Sequence, residues 1–185
     1  MTATPSETSS SSYTPLSGYP TSTQLLDDSV KSFFREFYAV SDTPGSIDAW
    51  VDFFGDADNA TTTTTCVVGN DVAHGKDELR KLREKMWVKV SARKHTLSRI
   101  FPATNFTTTT TTSSESDECE VMLLGSVVYK LKPTPTPTPT PTGGTEEELT
   151  KTVDWVAHAH IRRSGHKEGE GRRWRFVYYR VYLQT

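Results

Sequence analysis

The chain is short of cysteine, of long apolar runs and of net charge, and each shortage removes a class of function. Cys66 and Cys119 are its only thiols. They are too few for a disulfide framework and no ligand-like spacing surrounds them, so both read as buried thiols in a reducing compartment. No stretch reaches the roughly 18–20 apolar residues of a membrane helix. No basic segment followed by an apolar one opens the sequence, so a secretory leader is not expected and the expected location is cytoplasmic, away from any membrane. A formal net charge of −2 supplies no global pull toward nucleic acid or an anionic surface. The sequence also lacks a nucleophile elbow, a phosphate-binding loop, a dinucleotide fingerprint and a Cys/His cluster of metal-ligand spacing. Gly69-Asn70-Asp71 and Gly75-Lys76-Asp77 are turns, without the remaining glycines and lysine that a phosphate loop needs.

Apolar residues are scarce in several tracts as well. Residues 1–22 are almost entirely Ser, Thr, Pro and Gly and predict a disordered tail. Five threonines fill 61–65, Thr and Ser dominate 103–117, and 133–150 is a Thr-Pro repeat running into glycines and glutamates. Proline removes ladder donors, so the last tract is expected as an extended loop between strands. The remainder, about 125 residues, suits one hydrophobic core and not two. A single domain over 23–185 with three low-complexity loop insertions is therefore expected.

What is present is a sequence of periodicities. Val30, Phe33, Phe34, Phe37 and Tyr38 make one apolar stripe on a helix over about 24–40, with Asp27 and Asp28 at its N-terminus. Ser41-Asp42-Thr43-Pro44-Gly45 breaks it, and Ser46 can cap a short second helix carrying Ile47, Trp50, Val51 and Phe54. Cys66-Val67-Val68 reads as a short strand. A third helix follows His74-Gly75, with Leu79, Leu82, Met86 and Val90 on one side and Asp77–Lys81 and Arg80–Glu84 pairs on the other. Alternation then predicts strands at about 94–101, 119–131, 153–163 and 173–183, the last two joined by a hairpin through Gly165–Gly171. Helices first and antiparallel strands later is an α+β order.

Among the histidines, His158 and His160 share one strand face with Asp154 and Arg162. Two histidines at i, i+2 can start a metal site, but spacing places no third ligand, and no metal is expected. His166 lies in a charged turn and His74 before a helix glycine. His95 opens a strand on a face shared with Leu97 and Phe101. On a concave sheet that placement puts an imidazole in a cavity, where it suits proton transfer with a carboxylate partner, for which Asp42 is the best candidate. Strict alternation groups Trp155, Ala157, Ala159 and Ile161 with Trp174, Phe176, Tyr178, Arg180 and Tyr182 on one face. There, small alanines oppose large aromatics and Arg180 can polarise a ligand. The opposite face, with Val156, Val177, Tyr179, Val181 and Leu183, is apolar enough to pair with a second copy. Residues 76–99 carry nine Lys/Arg against three Asp/Glu, but these charges pair along a solvated helix and no stacking motif accompanies them, so nucleic-acid binding is not expected.

Four features, in this order, resemble the nuclear-transport-factor-2-like superfamily and its SnoaL-like branch, with a pattern similar to fungal members. They are the aromatic first helix with its Asp42 break, His74-Gly75-Lys76-Asp77-Glu78-Leu79, Arg93-Lys94-His95-Thr96-Leu97, and Arg173-Trp174-Arg175-Phe176. The resemblance implies a cone-shaped α+β barrel, a strongly bent antiparallel sheet wrapped around about three N-terminal helices and a pocket. Members such as polyketide cyclases, ketosteroid isomerases and scytalone dehydratase transfer protons without metal or organic cofactor; others are binding or dimerisation modules. In scytalone dehydratase a histidine on the strand after the third helix works with an aspartate near the first-helix break, and His95 and Asp42 match those positions. Its tyrosine pair would fall to Tyr38 or Tyr178. The implied reading is a cofactor-free isomerase, cyclase or dehydratase for a hydrophobic oxygenated small molecule, with Tyr38, Trp50, Tyr178 and Arg180 lining the pocket. The alternative is a non-enzymatic module that dimerises through its sheet face.

Overall fold

The computed structural model describes residues 27–55, 63–102, 118–133, 149–164 and 173–184. The expected tail at 1–22, the insertion at 103–117, residues 61 and 62 of the one at 61–65, most of that at 133–150, the 165–171 hairpin connection and His166 lie outside the described residues. Three helices precede most of the sheet: α1 (Asp28–Ser41), α2 (Ile47–Val51) and, after two short strands, α3 (Gly75–Met86). The strands are β1 (Thr65–Val68), β2 (Asp71–His74), β3 (Val90–Pro102), β4 (Glu118–Leu131), β5 (Thr150–Ser164) and β6 (Arg173–Leu183). They form one sheet in the order β2-β1-β6-β5-β4-β3, with β2 and β3 as open edges.

The α+β class and the bent sheet around the helices follow the expected plan, with five corrections. The sheet is mixed, because β1 runs parallel to β6 while every other pair is antiparallel. It does not close into a barrel. The chain around the threonines is also more ordered than a bulging loop: Thr65 pairs in β1, and Thr64 is buried with its hydroxyl donating to the Gly55 carbonyl at 3.0 Å. Val90 belongs to β3 and not to α3, which ends at Met86. Arg80 pairs with Asp48 of α2 at 3.0 Å and with Asp77 of its own helix at 3.5 Å, in place of Glu84.

The α1 stripe packs as its periodicity requires. Asp27 caps the helix by accepting from the Ser29 N–H at 2.8 Å, and Val30, Phe33, Phe34, Phe37 and Tyr38 are buried. They meet the concave face of the sheet, where Ala157 and Ala159 are fully buried between larger neighbours. Phe37 lies edge-on to Phe176 and Tyr179, with ring centres 4.7 and 5.3 Å apart. The small alanines thus leave room for aromatic rings of α1 and β6. Gly125 serves the same end on β4. A Cβ there would collide with the Thr96 carbonyl oxygen and with the indole of Trp155, its cross-strand partner on β5.

Two bulges set which side chains reach the interior. In β3, Leu97 faces Gly125 and Arg99 faces Leu124, so Ser98 is the extra residue. Beyond it the alternation inverts, turning Ile100 inward and leaving Phe101 exposed, contrary to the expected His95–Leu97–Phe101 face. In β6, Tyr178 faces His160 and Phe176 faces Ile161, which leaves Val177 unmatched.

Candidate active site

The site begins where α1 ends. The last carbonyls of a helix have no partner in the helix itself, and α1 has no basic residue in its final turn. Two arginines from other elements supply the donors. Arg83 of α3, completely buried, donates to the carbonyls of Ser41 at 2.9 Å, Val40 at 3.0 Å and Thr43 at 2.8 Å. Arg93 of β3 donates from Nε and Nη2 to Ser41 O at 2.8 and 2.6 Å. Positive charge at a helix C-terminus is electrostatically favourable. The two guanidiniums also stack on indoles, Arg83 over Trp50 and Trp87, and Arg93 over Trp87 at 4.8 Å. Burial, then the like charge of Arg93, pulls the Arg83 guanidinium down to about 9, while Asp42 opposes both.

Asp42, the C-cap residue, is held by this clamp and grips His95 twice. Its Oδ2 accepts from the His95 backbone N–H at 2.8 Å, and its Oδ1 lies 2.5 Å from Nδ1. A carboxylate only accepts, so the hydrogen sits on Nδ1, and in the neutral ring Nε2 keeps its lone pair. Among the described residues Nε2 has no hydrogen-bond partner. The ring forms part of the wall of a cavity of about 200 Å³. Tyr38, Trp50, Arg93, Trp155, Tyr129 and Tyr179 are also in that wall.

The rings of Tyr38, His95 and Trp155 form a triangle, with Tyr38 5.1 Å from His95 and 5.3 Å from Trp155 and the last two 6.1 Å apart. Its hydroxyl meets that of Tyr179 at 3.1 Å. Burial is the first cause that pushes both phenols above their ordinary value, Tyr38 far above, so both stay protonated and able to donate. Trp50 donates from Nε1 to the Ser41 hydroxyl at 3.1 Å.

Of the six residues singled out from sequence, His95, Asp42, Tyr38 and Trp50 come together here. Tyr178 and Arg180 do not, because the Val177 bulge inverts the alternation of β6. Tyr178 lies on the convex face against the ring of His158, and Arg180 stacks over Tyr182. Tyr179, Val181 and Leu183, expected outside, line the cavity instead. The adjacent pair Tyr178-Tyr179 already meant that one tyrosine faces inward; alternation alone chose the wrong one. Arg83 and Arg93 were hidden among the basic residues of 76–99. The convex face therefore carries Val156, Leu124 and Tyr182 across three strands, beside His158 paired with Glu120 and His160 with Glu118.

No family model and no curated protein matches the chain. Solved structures do. A protein from Novosphingobium aromaticivorans provisionally described as a scytalone dehydratase superposes with a TM-score of 0.57 at 12% identity, covering 85% of this chain and 83% of its own. A protein from Streptomyces avermitilis, provisionally described as a dehydratase of the nuclear-transport-factor-2-like family, gives 0.57 at 15% identity over 83% and 93%. The chain has the nuclear-transport-factor-2-like fold. A hexachlorocyclohexane dehydrochlorinase shares that fold, at a TM-score of 0.56 and 9% identity over 85% and 84%. Among the described residues, no helix is long and apolar enough to cross a membrane.

Proposed function

We propose that this SnoaL-like chain binds a hydrophobic, oxygenated small molecule, such as a polyketide-like metabolite, and moves a proton on it as an isomerase, cyclase or dehydratase. The observation that carries this reading is the two-point grip of Asp42 on His95, with Nε2 left free on a cavity wall. In the step proposed, Nε2 takes a proton from carbon beside a carbonyl, leaving an enolate and an imidazolium. The Asp42 carboxylate stabilises that cation and fixes the ring's orientation. A hydroxyl of the Tyr38–Tyr179 pair donates to the enolate oxygen. Return of the proton to a second carbon gives an isomer; loss of a β-hydroxyl with protonation gives water and an alkene. Neither outcome calls for a metal or an organic cofactor.

The test is deuterium exchange into a panel of enolisable ketones and β-hydroxy ketones, followed by NMR. Exchange in wild type that falls at least 100-fold in His95→Ala and Asp42→Ala supports the reading. Equal exchange in wild type and both variants removes it.

A second reading rests on the convex row. Leu124, Val156 and Tyr182 are paired in register and 37%, 37% and 48% exposed, an apolar strip suited to a second copy of the chain. Sedimentation of wild type and Val156→Arg decides it: a wild-type dimer that the substitution splits supports this interface, and a wild-type monomer rejects it.

A further inference from the structure

We infer that the cavity takes a compact carboxylate, one ring in size, anchored by Arg93. The inference rests on the preceding reading for the location of the site and adds the class of molecule.

Size comes first. Cavities for drug-sized ligands run from about 300 to 1,000 Å³, and one of about 150 Å³ suffices for benzene. At about 200 Å³, with Phe37, Tyr38, Trp50 and Trp155 in its wall, this cavity fits a single ring with one or two small substituents. A fused polycycle exceeds it.

Charge comes second. Arg83 and Arg93 are both buried, at 0% and 9% exposure, and Asp42 is the carboxylate that acts on both. With His95 neutral the cluster carries a surplus positive charge, and burying an unpaired charge is costly. Arg83 already serves three carbonyls at the end of α1 and is absent from the cavity wall. Arg93 is in that wall. Of its five N–H groups, two reach Ser41 O, one reaches only the Met86 thioether at 3.5 Å, and two have no partner among the described residues. A thioether is a weak acceptor, so three N–H groups of this wall residue lack a strong charge-assisted acceptor. A carboxylate supplies both the charge and the paired oxygens. Trp155, in the same wall, has a buried Nε1 that also lacks a partner among the described residues. Arg93 and His95 project from the same face of β3 two positions apart, so a molecule held at the first extends toward the second.

The experiment is isothermal titration of the full chain at pH 7 with benzoate, benzamide and 2-naphthoate, with the His95 ring signals followed by NMR. Expected are benzoate binding at least tenfold tighter than either of the others, a shift of the His95 signals, and loss of the benzoate preference in Arg93→Met. Benzamide binding as tightly as benzoate overturns the anchoring role, and 2-naphthoate binding as tightly overturns the size limit. If Arg93→Met does not fold, Arg93→Lys replaces it: weakening by several-fold is expected because the planar fork is lost, and unchanged affinity overturns the assignment. Ketone exchange without benzoate binding defeats this inference and leaves proton transfer standing. Benzoate preference without any exchange defeats proton transfer and leaves this inference standing.

Discussion

The Ser41 carbonyl oxygen accepts both Nε–H and Nη2–H of Arg93, at 2.8 and 2.6 Å, one residue before the aspartate that grips His95. The end of α1 is therefore tied to β3 at two successive residues, once through Ser41 and once through Asp42. The position of the catalytic candidate and the termination of the helix are one arrangement.

Removing the deeper half of that arrangement should be expensive. Arg83→Met strips three carbonyls of their donor and should cost about 3 kcal/mol, given roughly 1.5–3 kcal/mol for hydrogen bonds to a charged group. At about 2–4 °C per kcal/mol for a chain of this size, the melting temperature should fall by about 10 °C in a circular dichroism scan. A drop under 2 °C would show that water takes over the capping.

The Asp42–His95 contact fixes a tautomer, which NMR reads directly. Long-range nitrogen–proton spectra should show His95 protonated at Nδ1 and bare at Nε2 in the neutral ring. Asp42→Ala should exchange the two forms and release the Nδ1 hydrogen to solvent. Observation of the Nε2–H form in wild type contradicts the assignment.

Gly125 is a packing requirement and not a flexible joint. Gly125→Ala drives a Cβ into the Thr96 carbonyl and the Trp155 ring. A loss of about 2–3 kcal/mol in denaturant unfolding is expected from overpacking. Tryptophan fluorescence should change with it, because the displaced ring is part of the cavity wall. Wild-type stability in this variant would mean that β3 and β4 separate at little cost.

Alkali should destabilise the fold from about pH 9 upward. Burial pushes the Cys66 and Cys119 thiols from 9.0 up to about 12, and raises Tyr38 and Tyr179 from 10.0. Below pH 9 these groups are protonated in both states, so their contribution is complete. As pH rises toward 12 the unfolded chain ionises first, and the contribution is lost. Arg83, held at about 9, and Arg93, also lowered by burial, work in the opposite sense, and Tyr129, raised by burial, joins the thiols and phenols: two groups against five. Denaturant midpoints at pH 7, 9 and 10.5 should decline in that order, and Cys66→Ala should flatten the decline. Rapid labelling of either cysteine by a thiol reagent in the native state at pH 8 would contradict their burial.

Most of the architecture was legible because it follows from side-chain period. The α1 stripe, the α2 face, the aspartate in the break and the order of helices and strands all reflect local patterns that burial reinforces. The failures fall where one residue breaks the period. Ser98 and Val177 look like ordinary strand residues, and nothing in the local sequence marks either as the one without a partner. Arg83 was read as part of a solvated helix face, since charge usually lies outside; its partners are backbone carbonyls some forty residues earlier, which carry no sequence signal. The parallel pairing of β1 with β6 joins residues more than a hundred positions apart, for the same reason.

Val177 hides the parity of β6. Because it occupies a step of β6 without spending one of β5, it acts as a phase shift. Delete it, and Phe176 runs into Tyr178 in plain alternation, with Tyr179, Val181 and Leu183 still facing inward and each still opposite the same residue of β5. The composition of the cavity wall would survive the loss, and only the spacing that disguises it would go. In this fold a strand can lose one residue and keep its interior, so comparison of related chains should align β6 by its unpaired residue before its side chains are matched.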